Sequence, residues 1–511
     1  MSIINYITQN AQEYGKEEAI VYVNSDNVRY CLTWSQLEAY SNKIANMLIT
    51  KGIKKGEKVA IMISNSLFWL PIYFGVLKVG AVVVPLNYRK NIDEISYYIE
   101  YAECRAVFLS ATYEHGSYLE TIGSLQVFKV EDNIMFWNRE YFLYSHSNVR
   151  ITLKDEEVAA IYFSSGTTGK EKAILLSHGA LKAAAEIEAS HHFQQQSDRF
   201  LCLTPLYHTG SKIHWFGSLT VGGAIVICES TSPSSILNIV QKESISIAWL
   251  LVHQIQDVLD AIDSGDINIS SIDISSLRLM HSGSQPIPAS LILRWHKKFP
   301  NILYDTNYGL TEATGPGCIH LGVENIDKAG AIGKPDARWS AKIVNNDGVS
   351  VERGIVGELV IKGPGVMLEY YKDKEATNET LREGWLYTGD MAYMDDNGFI
   401  YLVDRKKDII ICGGENIYPV QIENYLRTQE CVKDVAVIGL PNKRMGEMIG
   451  VVIEVKENYV CSKNEIHRYC ERLPEHQRPL RVYFGRVIRN ATGKIDKKLL
   501  REYIVNNKKV W

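Results

Sequence analysis

Short apolar runs alternate with amphipathic, helix-like segments through most of the chain. Val59–Ile63 and Ala81–Val84 are apolar runs typical of buried strands, and the segment between them has the pattern of a buried helix. Ala224–Cys228 and Ala248–Leu251 enclose a helical segment over Ser234–Lys242 in the same way. Alternation of this kind predicts an α/β fold of layered helices and sheets with parallel strands.

The pattern becomes strand-rich near residue 357. Glu358–Lys362 and Phe399–Val403 predict strands, and Asp396-Asn397-Gly398 predicts the hairpin turn that precedes the second of them. We expect this segment to form a β-rich annex of a large N-terminal domain.

A charged cluster, Asp404–Asp408, follows the annex. Strands predicted over Val435–Gly439 and Gly450–Val455 then indicate a small α+β unit. A chain of 511 residues is too long for one hydrophobic core. We therefore expect an N-terminal domain over residues 1–404, a hinge at 405–407 and a small C-terminal domain over 408–511.

One loop has an unusual composition. Four hydroxyls, two glycines and two lysines fall within the nine residues Ser164–Lys172, directly after a predicted strand, Val158–Phe163. Successive N–H groups of a glycine-containing loop form a concave anion site, and hydroxyls and lysines bind phosphate oxygens. The composition therefore predicts a phosphate-binding loop rather than a flexible surface turn.

This loop is not a P-loop. A P-loop has four residues between its glycines, followed by Lys, Ser or Thr and a helix. Here two residues separate Gly166 from Gly169, and Ala173–Leu176 predicts another strand. Ser177 then has the character of an N-cap for an alanine-rich helix. The loop is thus expected to join strand to strand.

Four further motifs follow in order: Tyr308-Gly309-Leu310-Thr311-Glu312, Tyr387-Thr388-Gly389-Asp390, Asp404 to Asp408 leading into Gly413-Gly414-Glu415-Asn416, and Asn490-Ala491-Thr492-Gly493-Lys494. Together with the loop, they resemble the signatures of the adenylate-forming superfamily, which includes acyl-CoA synthetases, 4-coumarate–CoA ligases, luciferases and adenylation domains of peptide synthetases. The resemblance spans essentially the whole chain. It departs from the family at Glu171 and Ala173, where Pro and Gly are usual.

Composition narrows the class of protein. The chain is 46% hydrophobic and 22% charged, which are ordinary globular values. No apolar segment predicts a membrane span, and the basic excess after Arg405 is spread out and has no nucleic-acid motif. The basic excess has two interpretations: a positively charged lid that covers polyanionic ligands, or an ordinary solvated surface. Nine scattered cysteines without a CxxC pair indicate neither zinc nor disulfides, and we expect a cytoplasmic protein.

The resemblance implies a reaction in two halves. A carboxylate attacks the α-phosphate of ATP to give acyl-AMP and pyrophosphate, and a thiol then attacks the acyl carbon and releases AMP. Because the first half brings two anions together, positive charge at the reacting oxygens is its main requirement. The resemblance assigns this charge to Lys494. It also implies that the C-terminal domain is mobile and swings about Lys407 between the two halves.

The resemblance further implies the nucleotide and metal ligands. Thr167 and Glu312 are expected to bind Mg²⁺, and Asp390 the ribose hydroxyls. Tyr308 offers a face for adenine stacking, although a core tyrosine is its ordinary role. Gly283, Ser284 and Gln285 match the family's adenine-lining Gly-Gly-Ala only in part. The full set predicted to bind ATP or AMP is Ser165, Gly166, Thr167, Thr168, Gly169, Lys170, Gly283, Ser284, Gln285, Asn307, Tyr308, Gly309, Thr311, Asp390, Arg405 and Lys494.

The thiol and acyl sites are predicted in the same way. The resemblance places Gly413, Gly414 and Glu415 at the coenzyme A tunnel and His208 at the acyl site, where it acts with Lys494, Thr167 and Glu312 in catalysis. Aromatic side chains near His208, including Trp249, favour an apolar pocket, although core packing is their usual role. The residues expected to line the pocket are Tyr207, His208, Trp215, Ser282 and Gly309.

The predicted function is an ATP-dependent ligase that joins a fatty or aromatic carboxylic acid to coenzyme A, with ATP, Mg²⁺ and coenzyme A as cofactors. No acidic residue lies in Ile213–Ser218, which disfavours an amino-acid substrate. The thiol could instead be the phosphopantetheine of a carrier protein. A luciferase-like oxygenase and a non-catalytic acyl-adenylate binding protein remain alternatives from other classes, and a homodimer is left open.

Overall fold

The computed structural model describes residues 2–131, 143–149, 151–164, 171–285, 287–457, 459–489 and 495–506, without the side chains of residues 213 and 316. It confirms the predicted α/β class, with a large N-terminal part of sheets and helices and a smaller C-terminal part. Every element named below lies in these ranges.

The described strands are β1 (Glu18–Val23), β2 (Arg29–Thr33), β3 (Lys58–Met62), β4 (Val82–Pro85), β5 (Cys104–Ser110), β6 (Gln126–Val130), β7 (Val158–Ser164), β8 (Lys172–Ser177), β9 (Arg199–Cys202), β10 (Ala224–Cys228), β11 (Ile247–Trp249), β12 (Leu279–Ser282), β13 (Leu303–Leu310), β14 (Gly315–His320), β15 (Lys334–Pro335), β16 (Ser340–Val344), β17 (Gly357–Lys362), β18 (Glu369–Tyr370), β19 (Leu381–Arg382), β20 (Trp385–Met394), β21 (Ile400–Arg405), β22 (Ile410–Cys412), β23 (Glu415–Ile417), β24 (Val432–Asn442), β25 (Gly446–Val455) and β26 (Arg481–Phe484).

The described α-helices are α1 (Ile3–Glu13), α2 (Trp34–Thr50), α3 (Trp69–Lys78), α4 (Ile92–Tyr101), α5 (Gly116–Leu119), α6 (His178–His191), α7 (Thr209–Val221), α8 (Pro233–Lys242), α9 (Val252–Asp263), α10 (Ala289–Lys298), α11 (Lys374–Thr380), α12 (Pro419–Leu426), α13 (Lys463–Cys470) and α14 (Lys497–Asn506).

Two large sheets form the N-terminal part. One has nine strands in the order β15-β14-β13-β12-β11-β9-β10-β1-β2, and the other has seven in the order β18-β8-β7-β4-β3-β5-β6. Their central strands are parallel, as predicted. Antiparallel pairs close both edges of the nine-stranded sheet and the β18 edge of the seven-stranded sheet, whereas β6 pairs in parallel with β5 at the other edge. Strand β10 is buried along its whole length, which explains why its sequence is continuously apolar.

Helices α1, α2, α3, α6 and α7 share one hydrophobic core with the inner faces of both large sheets. The two-residue period of a strand divides the side chains of β3 between layers. Val59 and Ile61 join this inner core, whereas Ala60 and Met62 pack with α4 on the outer face. Helices α8, α9 and α10 cover the outer face of the nine-stranded sheet. The N-terminal part is therefore built of alternating helix and sheet layers.

The predicted β-rich annex is a five-stranded antiparallel sheet of β16, β17, β19, β20 and β21. Its last hairpin turns at the predicted Asp396-Asn397-Gly398, where Gly398 has a φ of 84° that favours glycine. A second five-stranded sheet, β22 to β26, carries α12, α13 and α14 and forms the C-terminal part with its own core.

One predicted strand is shorter than expected. Ala248–Leu251 was expected to be extended throughout, but β11 ends at Trp249. Leu251 instead is the N-cap residue of α9, where its backbone N–H donates to the side chain of Gln254 at 2.9 Å. An N-cap residue keeps extended dihedrals, so an apolar run alone does not distinguish it from a strand.

None of the helices in the described ranges is long and apolar enough to cross a bilayer. All nine cysteines are free thiols.

Candidate functional site

Strands β7 and β8 carry the predicted phosphate-binding loop. They pair in antiparallel register, and Ser164 lies opposite Lys172 at the base of the loop. The loop therefore joins strand to strand, as predicted. Its own residues, Ser165, Gly166, Thr167, Thr168, Gly169 and Lys170, lie outside the described residues.

Glu312 lies beside the end of this loop. It belongs to a 3-10 turn after β13, and the hydroxyl of Tyr370 donates to its Oε1 at 2.9 Å. Tyr370 pairs with Ile174 of β8, and the Nζ of Lys172 lies 4.5 Å above its ring. The Oε2 of Glu312 accepts no hydrogen bond from the described part of the chain. A carboxylate oxygen is thus available next to the loop, and oxygen ligands are those that Mg²⁺ prefers.

Tyr308, Asp390 and Arg405 form a connected group. The Tyr308 hydroxyl donates to Oδ2 of Asp390 at 2.5 Å, and Nε of Arg405 lies 3.3 Å from Oδ1. Asp390 and Arg405 are partners in the β20–β21 ladder, which fixes their separation. Burial and the carboxylate of Asp390 both raise the pKa of Tyr308, so its hydroxyl keeps its proton. The group holds the carboxylate of Asp390 in a fixed position at the edge of the annex.

We expect Tyr308→Phe to raise the KM for ATP about tenfold. Phenylalanine keeps the ring face, so the variant removes only the hydroxyl that positions Asp390. A hydrogen bond to a charged group contributes roughly 1.5–3 kcal/mol, and about 1.4 kcal/mol corresponds to a factor of ten. Steady-state pyrophosphate exchange measures this KM. Tyr393→Phe, on the same strand as Asp390, is the matched control, and an unchanged KM in Tyr308→Phe would contradict the positioning of Asp390 by Tyr308.

The residues predicted to surround adenine come from two neighbouring parallel strands, β12 and β13. Gly283 follows β12, and a Cβ added to it would lie 3.3 Å from Oδ1 of Asn307, so glycine permits this close approach. Ser284 has a φ of 70° and is exposed, and Gly309 is exposed on β13. Ser282 is buried, and Thr311 begins the turn that carries Glu312.

The C-terminal part contacts the segment that is predicted to line the adenine site. Nη1 of Arg489 donates to Oε1 of Gln285 at 3.2 Å, and Arg489 also forms an ion pair with Asp434. Arg489 and Ile495 form an antiparallel β-bridge. Lys494 lies outside the described residues, but the residues that flank its segment are therefore beside Gln285.

The predicted hinge and thiol residues lie on other surfaces. Lys407 is exposed in a 3-10 turn, Lys406–Asp408, that connects β21 to β22. Gly413, Gly414 and Glu415 form the exposed tip of the β22–β23 hairpin. The side chain of Glu415 is 64% exposed, and its nearest basic partner is His476 of the same part, at 3.8 Å. Among the described residues, no hydrogen bond or ion pair joins this predicted thiol-site loop to Gly283, Ser284 or Gln285.

His208 is held by a lysine that the sequence reasoning missed. Lys212 is fully buried in α7, and its Nζ donates to the carbonyl oxygens of Leu206 and His208 at 2.6 and 2.7 Å. The ring of Tyr162 lies 4.7 Å from the same Nζ. Burial holds the pKa of Lys212 well below its usual range. Lys212 therefore fixes the backbone that presents His208.

The residues predicted for the acyl pocket divide into two groups. Tyr207 contacts His208, with ring centroids 4.3 Å apart. Trp249 lies between the Gly210 and Gly283 segments: a Cβ added to Gly210 would lie 3.6 Å from its indole, and a Cβ added to Gly283 would lie 3.7 Å from it. Trp215, by contrast, is fully buried in the aromatic core of α3 and α7. The first group therefore lies beside His208 and the Gly210 and Gly283 segments, whereas Trp215 belongs to the core.

A buried group of imidazoles and carboxylates was also missed. It contains the side chains of Glu188, His192, His214, His281, Asp305 and His320, together with the partly exposed His191. Glu188 accepts from Nδ2 of Asn307 at 3.0 Å. The only signal in the sequence is the adjacent pair His191-His192, because the other members come from separate elements.

The sequence model of the AMP-binding enzyme family matches residues 7–371. The long-chain-fatty-acid–CoA ligase FadD13 of Mycobacterium tuberculosis is 30% identical over 480 residues, which cover 92% of this chain and 93% of that protein. The 2-succinylbenzoate–CoA ligase of Bacillus cytotoxicus is 30% identical over 457 residues, with 88% and 89% covered.

Solved structures share the whole fold. The o-succinylbenzoate CoA synthetase of Bacillus subtilis, bound to its acyl-adenylate intermediate, superposes with a TM-score of 0.85 at 26% identity, covering 97% of this chain and 98% of that one. The chain belongs to the AMP-binding enzyme family. Within it, the predicted class is confirmed: an AMP-forming acid–CoA ligase that uses ATP, Mg²⁺ and coenzyme A.

Proposed function

We propose that this protein activates a fatty or aromatic carboxylic acid as its acyl-AMP and then transfers the acyl group to coenzyme A. In the first half, a carboxylate oxygen attacks the α-phosphorus and pyrophosphate leaves. In the second, the coenzyme A sulfur attacks the acyl carbon and AMP leaves. The observation that carries the proposal is the grouping of Tyr308, Asp390 and Arg405 within a chain whose family is AMP-forming.

The nucleotide would lie between the phosphate-binding loop and this group. Asp390 is proposed to accept from the ribose hydroxyls, because an ionised carboxylate accepts two donors at once. Tyr308 and the Gly283–Gln285 segment are proposed to enclose adenine. Their support is the close approach of Gly283 to Asn307 and the position of Tyr308 on the next strand.

Glu312 and Thr167 are the proposed Mg²⁺ ligands. Glu312 fits this role because one of its oxygens is fixed by Tyr370 and the other is available. Mg²⁺ held by these two residues would supply positive charge that offsets the charge of the phosphates. Glu312 and Thr167 would position that ion beside the phosphate-binding loop.

The acyl pocket is proposed to favour aromatic acids. The indole of Trp249 lies between the Gly210 and Gly283 segments and is 4% exposed. Its ring packs against that of His214, with centroids 4.7 Å apart. The bulk of the indole between these segments shortens the space available to a long alkyl chain. The curated relatives include both kinds of enzyme, one named for long-chain fatty acids and one for 2-succinylbenzoate.

We propose that residues 405–407 separate an N-terminal domain, 1–404, from a mobile C-terminal domain, 408–511. Support comes from the sheets, since β1 to β21 belong to the first three and β22 to β26 to the fourth. The contact of Arg489 with Gln285 and the exposure of Gly413–Glu415 match the pose that delivers Lys494 to the nucleotide. Rotation about the hinge would bring the Gly413–Glu415 loop to the thiol.

A cytoplasmic location is proposed, because free cysteines are usual in a reducing compartment. A homodimer is proposed only as an arrangement compatible with the family, and gel filtration with light scattering measures the oligomeric state.

The proposed function is tested by ATP–pyrophosphate exchange with a panel of aromatic, short-chain and long-chain acids. We expect exchange to be fastest with an aromatic acid. Acids that give exchange are then supplied with coenzyme A or with a phosphopantetheinylated carrier protein. Thioester formation with coenzyme A is the expected result, measured by release of AMP and by mass spectrometry of the product.

Three outcomes would overturn parts of the proposal. If none of the acids in the panel supports pyrophosphate exchange, the protein would be a non-catalytic acyl-adenylate binding protein. Transfer to the carrier protein alone would indicate a carrier-loading ligase, and fastest exchange with long-chain acids would reject the role given to Trp249.

A further inference from the structure

Four side chains converge at the C-terminal end of α6, behind the proposed adenine pocket. One ligand atom from each of His191, His192, Asp305 and His320 lies within 4.8 Å of the others. His192, Asp305 and His320 are buried, and the side chain of His191 is 22% exposed. None of these residues belongs to the nucleotide, acyl or thiol sites proposed above.

The three imidazoles surround a single oxygen atom. Oδ2 of Asp305 lies 2.8 Å from Nε2 of His192, 3.1 Å from Nε2 of His191 and 3.3 Å from Nδ1 of His320. A carboxylate oxygen has two lone pairs, so it cannot accept three N–H donors with good geometry. Nε2 of His191 indeed has no hydrogen-bond partner among the described residues. Hydrogen bonds to Oδ2 of Asp305 therefore do not satisfy all three imidazoles.

We propose that His191, His192, His320 and Asp305 bind a divalent transition-metal ion, and that the ion is Zn²⁺. Three imidazole nitrogens and a carboxylate oxygen are ligands that Zn²⁺ takes, at about 2.0–2.2 Å. A regular tetrahedron of such bonds has ligand–ligand edges of about 3.3 Å. The three nitrogen–oxygen distances, 2.8, 3.1 and 3.3 Å, are near that edge. The four ligand atoms lie within 4.8 Å of one another, so the more distant nitrogen pairs would approach by rotation of the imidazole rings when the ion binds.

The hydrogen-bond partners of the four proposed ligands are arranged as they commonly are around a bound metal ion. A metal-bound histidine commonly directs its other ring nitrogen to a carboxylate. Nδ1 of His192 lies 3.3 Å from Oε2 of Glu188, and Nδ1 of His214 lies 3.1 Å from the same atom. Oδ1 of Asp305 accepts from the backbone N–H of Gly322 at 2.9 Å, which leaves Oδ2 to the ion. The partly exposed His191 gives the ion a path of entry.

The site is structural rather than catalytic. Four protein ligands fill a tetrahedral zinc site and leave no position for substrate. The ligands join the end of α6 to β13 and β14, and β13 continues into Asn307, Tyr308 and Gly309. Bound zinc would therefore fix the strand that carries the adenine-lining residues relative to α6. This inference does not depend on the proposed function, because zinc binding is measured without ATP or an acid.

The test uses the full chain without a polyhistidine tag. Zinc content is measured by inductively coupled plasma mass spectrometry after expression with zinc and after dialysis. We expect about one zinc per chain, a lower Tm after chelation, and visible d–d bands of tetrahedral Co²⁺ when the chelated protein is titrated with cobalt. His191→Ala removes a partly exposed ligand, and His467→Ala, on the exposed face of α13, is the matched control.

The expected result is that His191→Ala and His320→Ala lose the zinc and the cobalt bands while His467→Ala keeps both. Circular dichroism of His191→Ala separates loss of metal from loss of fold. Zinc at background level in the wild-type protein, together with no tetrahedral cobalt spectrum, would overturn the proposal. Equal zinc in His191→Ala and His467→Ala would overturn the ligand assignment.

Discussion

Lys494→Ala is expected to slow acyl-adenylate formation by about 10²–10³-fold, the usual cost of losing one preorganised electrostatic stabiliser. The carboxylate and the α-phosphate are both anionic, so a cation between them is needed more in the transition state than in the ground state. The flanking residues support this position. Arg489 contacts Gln285 and forms a β-bridge with Ile495, next to Lys494 in sequence. Transfer of a preformed acyl group to the thiol should be affected much less.

The two half-reactions are measured separately. Pyrophosphate exchange reports adenylation, and thioester formation from synthetic acyl-AMP and coenzyme A reports the second half. Lys498→Ala is the matched control, because Lys498 is an exposed lysine four residues further along the chain. Near-normal exchange in Lys494→Ala would refute the assignment of this lysine. Equal loss in both halves would indicate a general structural defect instead.

The layered part of the fold could be predicted because local patterns determine it. The run Val158–Phe163, the second run Ala173–Leu176 and the capping residue Ser177 were all correct, and Ser177 does accept from the N–H of Ala180 at 3.0 Å. These features depend on side-chain periodicity and on hydrogen bonds within a few residues. The pairing of β18 with β8 is long-range, and it was not predicted.

The connections within the site could not be predicted from the sequence. Tyr308 and Asp390 are 82 residues apart, and each was assigned a role with ligand rather than with the other. A lysine is ordinarily solvated, so nothing in the sequence distinguished Lys212 from surface lysines. Its burial depends on aromatic residues of α3 and β7. The zinc ligands likewise come from one helix end and two strands, and their convergence depends on sheet order.

Lys407→Pro is expected to leave adenylation close to the wild-type rate and to slow thioester formation about 10²-fold, the cost of a reacting group held slightly out of position. Lys407 is the second residue of the 3-10 turn Lys406–Asp408, where a backbone N–H has no partner within the turn, so proline removes no hydrogen bond of the turn. The pose with Arg489 on Gln285 is therefore retained. Rotation of the C-terminal domain needs a change in the backbone dihedrals at the hinge. Proline fixes φ near −65°, so it opposes that change.

Lys407→Ala is the control that separates the backbone from the side chain. It removes the same exposed ammonium group but leaves φ free, so both half-reactions should stay near the wild-type rates. Both variants are assayed by pyrophosphate exchange and by thioester formation from synthetic acyl-AMP. If the proline variant loses both activities equally, residue 407 is not the pivot. If Lys407→Ala and Lys407→Pro both keep adenylation and lose thioester formation equally, the second half-reaction requires the lysine side chain rather than rotation at the hinge.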